Sequence, residues 1–302
     1  MIHFHNLNKI KETEGNIIEI NNFISKKEIS KLIDYVKSGK NIWIDRDDGK
    51  KYSFNVVNNN SFPVCDIELW DDLFKQILLT KLKKIFKKVN FYVDKDEFPP
   101  HIFKSFYPLK PHVDTGKNNS DKIIYKQILI PLKIEPEESE VYTVFFKNRW
   151  YGPAANFRSQ TAEYDPLEIK DKNGKFVRIL NLQHFYDNLE KSTNKEILFN
   201  SGCFENTDFL KKKIKSLMNK KRYNITTSEY INKEKKFPKK IYDKYLTHAD
   251  INDFHGLDYW KSIKWKCGNA IVWDRTILHA SNDFIKSNVN SKIGLSIFFN
   301  RR

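Results

Sequence analysis

The feature that most restricts the fold of this chain is a series of short apolar runs that begins at residue 91. These runs have the length and the aromatic and β-branched composition of strands, and Pro, Asp or Asn residues separate them. They read FYV (91–93), HIFKSFY (101–107), KIIYKQILIPLKI (122–134), VYTVFF (141–146), FVRILNLQHF (176–185), SIKWK (262–266), NAIVWD (269–274) and KIGLSIFF (292–299). So many short strands predict a β-sandwich or a jelly-roll barrel.

Helical patterns precede these strand-like runs. Ser25 is expected to begin the first helix, because Glu28 three residues later completes a Ser-x-x-Glu capping box. Apolar residues then recur at helical spacing from Ile29 to Val36. A second apolar stripe predicts another helix over 67–89, surrounded by lysines that suit a solvated face. Helices first and strands later predict an α+β fold in which N-terminal helices support a β-barrel.

Composition points to a globular protein in a reducing compartment. Hydrophobic residues make up 40% of the 302 residues and aromatic residues 14%, which is too many for a disordered chain. The sequence has no run of about 18 apolar residues and no apolar stretch at its N-terminus, so we expect neither a membrane span nor a signal peptide. Cys65, Cys203 and Cys267 have no paired spacing, which favours reduced thiols and a cytoplasmic location.

The formal net charge of +15 has two interpretations. An acidic partner, such as nucleic acid, a nucleotide or a membrane surface, would be attracted to a basic protein. Lysine greatly outnumbers arginine, however, and the lysines are spread along the chain. Arginine is the residue favoured for specific phosphate recognition, so the charge by itself supports a nucleic-acid function only weakly.

Three residues have the types and the spacing of an iron site. His112 and Asp114 are two residues apart, so on an extended strand both side chains point to the same side. His279 follows far along the chain, behind a Trp-Asp-Arg run, and could join them from another strand. Two imidazoles and one carboxylate can hold Fe(II) on one face of an octahedron and leave the opposite positions open. We therefore expect His112, Asp114 and His279 to be both the metal ligands and the catalytic centre.

Four segments around these residues resemble the 2-oxoglutarate and Fe(II)-dependent oxygenases of the prolyl-hydroxylase-like kind. The segments are IIEINNFISKKEISKLIDYV near the start, FYPLKPHVDTG around the metal pair, CGNAIVWDRTILHAS around the distal histidine and KIGLSIFFN at the end. They cover roughly a third of the chain in the expected order, and the region of about 148–250 matches nothing. The resemblance implies a double-stranded β-helix barrel, Fe(II), 2-oxoglutarate as cosubstrate and dioxygen, with ascorbate in support. It also implies that the reaction is a hydroxylation.

The last strand carries the expected anchor for the cosubstrate. Between residues 292 and 299, Lys292, Gly294 and Ser296 share one face by strand alternation. A cation, a gap and a hydroxyl on one face suit a carboxylate, with Lys292 as ion-pair partner and Ser296 as hydrogen-bond donor. Lys292 lies 13 residues after His279, which is slightly longer than the commonest spacing in the family that this chain resembles.

Three further residues are candidates for the cosubstrate pocket. Arg275 competes with Lys292 as the anchor, because of that longer spacing. Tyr107, five residues before His112, could donate its hydroxyl to the cosubstrate or be a half-buried aromatic residue. Gln127 is a polar residue within an apolar run and could contact cosubstrate or substrate, or else face solvent on an alternating strand.

The expected organisation is a single domain over residues 1–302. Residues 1–90 form a helical support region, and residues 91–147 and 260–302 form the barrel core with the metal site. Residues 148–259 form a long central insertion that faces the substrate. Its first part, 148–175, is rich in Asn, Gly, Pro and charge and predicts a long loop over the barrel.

Several residues outside this core have two interpretations. Arg149, Trp150, Tyr151 and Arg158, in the region predicted to be a loop, are candidate substrate contacts, although an exposed structural loop is favoured for each of them. Asp274 is interpreted either as support for a metal ligand or as a turn residue. His248 and Asp250 repeat the His-x-Asp pattern but lie in a polar context without a preceding strand, so they rank below the first pair.

The substrate stays open at this stage. A peptidyl or free amino acid, or another small metabolite, is favoured, and a methylated nucleic-acid base, oxidatively demethylated, is an alternative. Two other classes of protein also remain: a cupin-like metalloprotein without 2-oxoglutarate chemistry, and a non-enzymatic jelly-roll binding or structural protein in which the three residues do not meet. The oligomeric state has no signal in the sequence.

Overall fold

The computed structural model describes residues 6–37, 41–45, 50–55, 74–86, 89–94, 100–105, 108–116, 123–152, 155–158, 161–163, 167–170, 176–179, 211–212, 215, 223–224 and 234–302. The helices are α1 (Leu7–Lys11), α2 (Lys26–Lys37), α3 (Thr80–Ile85, continuing a π-helical turn over Phe74–Leu79) and α4 (Lys239–Tyr245), with a 3₁₀ turn over Ile251–Phe254. Among the described helices, none combines the length and the apolar composition that a membrane crossing requires.

Strands dominate the described part of the chain. They are β1 (Ile18–Ile20), β2 (Asn41–Asp45), β3 (Lys50–Asn55), β4 (Phe91–Val93), β5 (His101–Ser105), β6 (His112–Val113), β7 (Ile123–Glu135), β8 (Tyr142–Arg149), β9 (Ala155–Arg158), β10 (Thr161–Glu163), β11 (Leu167–Lys170), β12 (Phe176–Ile179), β13 (Tyr223–Asn224), β14 (Tyr259–Lys264), β15 (Ala270–Asp274), β16 (Ile277–Ser281) and β17 (Ser291–Arg301). Each strand-like run of the sequence contributes a strand within its described part, since 106–107, 122 and 180–185 lie outside the described residues. The mostly β character that the runs predicted is confirmed.

The strands form two main antiparallel sheets. The larger sheet has the order β1-β15-β7-β17-β5-β3-β2, with β4 also paired to β17. The smaller sheet has the order β13-β10-β9-β6-β16-β8-β14, and β11 and β12 form a separate hairpin. The chain alternates between the two main sheets from β5 to β8, and again from β14 to β17. Within each of these two series, consecutive strands lie in different sheets. Both sheets therefore contain segments from the middle and the end of the chain.

The larger sheet has two apolar faces with different neighbours. On β17, Leu295, Ile297 and Phe299 pack in one cluster with residues of α2 and of the helix that ends in α3. On β7, Leu129 belongs instead to a second cluster, which contains Phe145 of the smaller sheet. Because side chains alternate along a strand, one face of this sheet is covered by helices and the other is directed towards the smaller sheet.

The first predicted helix begins as its capping box requires. The Glu28 backbone N–H donates to Ser25 Oγ at 3.2 Å, and the Ser25 backbone N–H donates to Glu28 Oε2 at 2.7 Å. These reciprocal bonds satisfy two N–H groups that the first helical turn leaves without partners. Burial lowers the solvation of Glu28, but its bonds with Lys81 and Ser25 outweigh this and hold its carboxyl pKa below the usual value.

The region predicted to be a long loop, 148–175, contains strands. Strands β9 and β10 extend the smaller sheet beyond β6, and Asn156 of β9 lies opposite His112. These strands are polar and lack the alternation of a half-buried strand, so the sequence pattern missed them. Strand β9 pairs with β6 and strand β10 pairs with β9. These pairings consist of backbone hydrogen bonds, which do not depend on side-chain type.

A glycine turn connects β14 to β15, which leads into the second half of the predicted metal site. Gly268 has a φ of 87°, in the left-handed region that favours glycine. Its carbonyl accepts from the Ile24 backbone N–H at 2.9 Å, and its own N–H donates to the Pro131 carbonyl at 2.9 Å. A Cβ at this position would lie 2.6 Å from the Ile24 carbonyl oxygen. The turn thus joins the segment before α2 to strand β7, and only glycine fits there without displacing backbone.

Candidate metal centre

Strand pairing in the smaller sheet brings the two predicted histidine ligands together. His112 on β6 and His279 on β16 are directly opposite each other in the antiparallel register. Residues opposite each other in such a pair have Cβ atoms about 5 Å apart and project to the same face. Asp114 follows β6 directly. Because it is two residues after His112, strand alternation places its side chain on the same side as that of His112.

The three side chains converge. One ligand atom from each of His112, Asp114 and His279 lies within 4.8 Å of the other two. Asp114 Oδ2 is 3.4 Å from His279 Nε2 and 3.9 Å from His112 Nε2, and the two imidazole centroids are 4.3 Å apart. These distances suit three donors around one metal ion. The convergence that the sequence hypothesis requires is therefore present.

Backbone contacts set the direction in which each imidazole nitrogen faces. Nδ1 of His112 lies 2.8 Å from the Lys110 carbonyl oxygen, and Nδ1 of His279 lies 3.1 Å from the Ile277 carbonyl oxygen. A carbonyl oxygen only accepts, so Nδ1 of each ring must carry the proton. Nε2 of each ring then faces Asp114, and in a neutral imidazole it is the atom with the lone pair that binds a metal.

Gln127 supports the carboxylate of the triad. Its side chain is buried, and its Nε2 donates to Asp114 Oδ2 at 2.9 Å. A carboxylate accepts only, so the amide nitrogen of Gln127 must face Asp114. The hypothesis that Gln127 lies inside rather than in solvent agrees with this burial, and the residue that it contacts is the ligand Asp114.

The donor set fits a metal ion that binds a further polar ligand. Gln127 Oε1 and Trp273 Nε1 are buried without a hydrogen-bond partner, and the Trp273 ring lies 5.1 Å from the His279 ring. Buried polar atoms nearly always have partners, so a polar ligand bound beside the triad would satisfy them. Two imidazoles and one carboxylate leave positions for such a ligand on Fe(II).

Lys292 lies in a box of aromatic rings. Its Nζ is 4.2 Å from the Trp265 ring centroid and 4.7 Å from that of Phe284, and it donates to Ser281 Oγ at 3.2 Å. Lys292 is 3% exposed, so the ammonium group is held in an environment of low polarity. Electrostatic attraction to an anion is strong in such surroundings, because little water screens it.

Ser296 is also buried, but the position between it and Lys292 differs from the prediction. Gly294 was expected to leave a gap on this face. A Cβ added at Gly294 would lie 2.8 Å from Cζ of Phe103 and 3.2 Å from Cδ1 of Leu129. The Phe103 ring fills that space, so the glycine allows close packing by β5 instead of opening a cavity for a ligand.

Arg275 is committed to protein groups. The guanidinium is fully buried and donates to Asp94 Oδ2 at 3.0 Å, to Asn300 Oδ1 at 2.8 Å and to the Asp114 carbonyl at 2.8 Å. A cation already bound to a buried carboxylate is a poor anchor for a second one. Arg275 thus has a buried carboxylate as its ion-pair partner, whereas the Lys292 ammonium faces aromatic rings.

Asp274 supports the N-terminal segment and touches none of the three ligands. Its carboxylate accepts from Lys126 Nζ, from Arg149 at 2.8 Å and from the Gly15 backbone N–H at 2.9 Å. Arg149 also pairs with Glu14 at 3.5 Å. Arg149 therefore ends strand β8 instead of lying in the predicted loop, and its guanidinium pairs with carboxylates of the protein itself.

The two residues that follow Arg149 also contact other parts of the protein. Trp150 and Tyr151 are buried, and the Tyr151 hydroxyl donates to Glu14 at 2.6 Å. The exposed loop position favoured for both residues is therefore not the one observed. The side chains of Tyr107 and Arg158, the remaining candidates, lie outside the described residues.

Within the described residues, the second His-x-Asp pair belongs to no cluster of metal-binding side chains. Asp250 caps the 3₁₀ turn by accepting from the Asn252 backbone N–H at 2.9 Å, whereas His248 Nε2 donates to the Leu109 carbonyl at 3.2 Å. Burial lowers the pKa of His248 to about 4, because its Nδ1 is enclosed without a hydrogen-bond partner. His248 instead secures the segment that leads to His112.

This environment predicts a loss of stability in acid. With a folded pKa near 4 and an unfolded value near 6.5, only the unfolded chain takes up a proton on His248 as the pH falls through this window. Above pH 6.5 the titration of His248 does not lower the free energy of unfolding. As the pH falls from 6.5 to about 4, this free energy decreases by about 3 kcal/mol in total. Urea unfolding of the wild type and of His248→Gln should therefore differ by a pH-dependent amount. A difference that is the same at pH 7 and pH 4 would contradict this assignment.

The residues that surround the Lys292 ammonium were not predicted from the sequence. Ser281 is two residues after His279 on β16, so strand alternation could have placed it on the same face as the ligand. Trp265 and Phe284 had no such signal, since their contact with Lys292 depends on how the two sheets pack.

Comparisons with known proteins give the following similarities. No protein-family model matches the chain, and no curated protein sequence does so either. Among solved structures, the α-ketoglutarate-dependent epimerase SnoN from nogalamycin biosynthesis is 8% identical, with a TM-score of 0.43 over 97% of this chain and 84% of that one. HygX from Streptomyces hygroscopicus with nickel and 2-oxoglutarate is 9% identical, with a TM-score of 0.40 over 97% and 85%. A 2OG-Fe(II) oxygenase family oxidoreductase from Burkholderia pseudomallei is 9% identical, with a TM-score of 0.37 over 98% and 88%. At these values the function has to be argued from the residues of the site.

Proposed function

We propose that this chain is a non-haem iron dioxygenase that couples oxidative decarboxylation of 2-oxoglutarate to hydroxylation of a second substrate. One observation carries the proposal: ligand atoms of His112, Asp114 and His279 lie within 4.8 Å of one another, in the donor set of a facial triad. Strand pairing between His112 and His279 supports it, because the two imidazoles are held by the sheet itself.

The fold that we propose for the whole is a jelly-roll barrel of the double-stranded β-helix type. The alternation of β5–β8 and β14–β17 between two antiparallel sheets supports it. In this proposal the domain spans the chain, with 1–90 as the supporting region, 91–147 and 260–302 as the core, and 148–259 as the insertion towards the substrate.

Each residue of the site has a proposed role. His112, Asp114 and His279 would hold Fe(II), and Gln127 would orient the Asp114 carboxylate through its 2.9 Å hydrogen bond. Lys292 would bind the distal carboxylate of 2-oxoglutarate, with Ser296 as a further hydrogen-bond donor on the same face. When bound, iron and cosubstrate supply an oxidant for unactivated C–H bonds, and the protein supplies ligands, orientation and shelter from water.

The proposed substrate is a peptidyl or free amino acid or another small metabolite. Oxidative demethylation of nucleic acid is the alternative, and the net charge of +15 supports it through general attraction to phosphate. A screen of both classes for a product heavier by one oxygen, or for release of formaldehyde, separates the two.

The test of the proposed function is succinate formation by the purified protein. With Fe(II), ascorbate, dioxygen and 2-oxoglutarate we expect succinate even without the second substrate, because such turnover is commonly uncoupled in the family that the sequence resembles. Metal-free protein and His112→Ala protein are the controls.

The outcomes separate the rival proteins. Metal binding that depends on His112 but shows neither succinate nor any effect of 2-oxoglutarate would favour a cupin-like metalloprotein. Absence of both metal binding and turnover would favour a binding or structural protein, and the proposal would be wrong.

A further inference from the structure

Arg275 connects the two halves of the metal centre. It lies in the turn between β15 and β16, at the start of the hairpin strand that carries His279. Its Nε donates to the backbone carbonyl of Asp114 at 2.8 Å. One side chain therefore links the segment of one ligand to the segment of another, although the two are far apart in the sequence.

The guanidinium has a fixed orientation. One of its nitrogens donates to Asp94 Oδ2 at 3.0 Å and to Asn300 Oδ1 at 2.8 Å, and the side chain of Asp94 is almost completely buried. A guanidinium is planar, so acceptors that hold one nitrogen also determine where Nε points. Moving Arg275 would leave a buried carboxylate without its counter-charge, which is strongly unfavourable.

Asp114 is held at both its side chain and its backbone. It directly follows strand β6, which ends at Val113. Gln127 orients the carboxylate, whereas Arg275 holds the main-chain carbonyl of the same residue. The neighbouring Thr115 hydroxyl donates to the Gly152 carbonyl at 2.8 Å, which secures the next residue.

We propose that Arg275 is a positioning residue of the metal centre: bound to Asp94 and Asn300, it keeps the Asp114 carboxylate beside His279. The inference rests on the proposed function, since it assumes that the triad holds a metal ion. It assigns to Arg275 a role other than cosubstrate binding.

The test compares Co(II) binding, followed by its d–d absorption, between wild type and Arg275→Lys. Lysine keeps the charge near Asp94 but has no Nε–H to hold the Asp114 carbonyl. We expect Co(II) affinity to fall roughly 10- to 100-fold, the usual effect of losing a partner behind a metal ligand. The absorption band should also change in position or intensity, because the coordination geometry shifts with Asp114.

Arg149→Lys is the matched control. Arg149 is also a largely buried arginine paired with an aspartate, but it contacts Asp274 and Glu14 instead of a metal ligand. A loss of stability alone should appear in both variants, so a purely structural role for Arg275 predicts the same Co(II) affinity in both. Only the positioning role predicts a selective loss in Arg275→Lys.

A second variant covers the case in which Arg275→Lys does not fold. Asn300→Ala removes one acceptor of the guanidinium and leaves Arg275 and Asp94 in place, and it should weaken Co(II) binding by a smaller factor. Wild-type affinity in a folded Arg275→Lys, or in Asn300→Ala when the first variant is unfolded, overturns the positioning role. Wild-type protein that binds no Co(II) contradicts the proposed function itself.

Discussion

His112→Ala and His279→Ala are each expected to abolish metal binding and 2-oxoglutarate turnover. Both Nε2 atoms face Asp114, because each Nδ1 is held by a backbone carbonyl, so each variant removes one of three preoriented donors. Loss of a partner behind a ligand alone costs about 10- to 100-fold in affinity. Loss of a ligand should therefore weaken Co(II) binding by more than roughly 100-fold, as measured by titration of the d–d absorption.

His255→Gln is the control for these ligand variants. His255 is also a histidine in the second half of the chain, but its Nδ1 accepts from the Phe237 backbone N–H at 3.2 Å, and it belongs to no described metal cluster. Glutamine can accept the same hydrogen bond, so Co(II) affinity and turnover should stay at the wild-type values. Tight Co(II) binding in His112→Ala would show that the three side chains are not the metal ligands.

Lys292→Met is expected to raise the KM for 2-oxoglutarate with a smaller change in kcat. The ammonium group lies between the Trp265 and Phe284 rings, where a bound carboxylate would meet a poorly screened positive charge. A hydrogen bond to a charged group contributes about 1.5–3 kcal/mol, which corresponds to about a 10- to 150-fold change in KM. Methionine has a similar length, so the aromatic box should keep its shape.

The matched control for Lys292→Met is Lys133→Met. Lys133 lies on the neighbouring strand β7, opposite Ile293, but its ammonium is half-exposed and pairs with Glu135 at 2.6 Å. The variant therefore lowers the net charge by the same amount without altering the surroundings of Lys292. Its KM for 2-oxoglutarate should equal that of the wild type. Equal KM values in Lys292→Met and wild type would show that the cosubstrate carboxylate binds elsewhere.

Much of the fold could be predicted because the necessary signals are local. The Ser25–Glu28 capping box and the apolar runs both depend on residues near one another in the sequence. The strands β9 and β10 were missed for the same reason: their polar sequence has no period, and they become strands only because β9 pairs with β6 and β10 pairs with β9.

The three side chains that converge at the candidate site could be predicted from the sequence, but the residues that contact them could not. His112 and Asp114 are two residues apart, and this spacing directs both to one side of a strand, whatever the rest of the fold. The roles of Gln127, Arg275 and Asp274 could not be read in the same way, since each bonds to a residue far away in the sequence. Arg275 is an example: it was a candidate anchor for the cosubstrate carboxylate, and the carboxylate that it contacts in the structure is that of the buried Asp94.

By itself the sequence determined the mostly β character, the helix start at Ser25 and the residue types of the metal centre. These follow from backbone periodicity and ligand chemistry, which act over a few residues. Only the tertiary structure decided that His112 lies opposite His279, that Phe103 fills the space at Gly294, and that Lys292 rather than Arg275 faces the aromatic box. The physical reason is that a buried charge takes whichever partner the packed sheets bring within hydrogen-bonding distance.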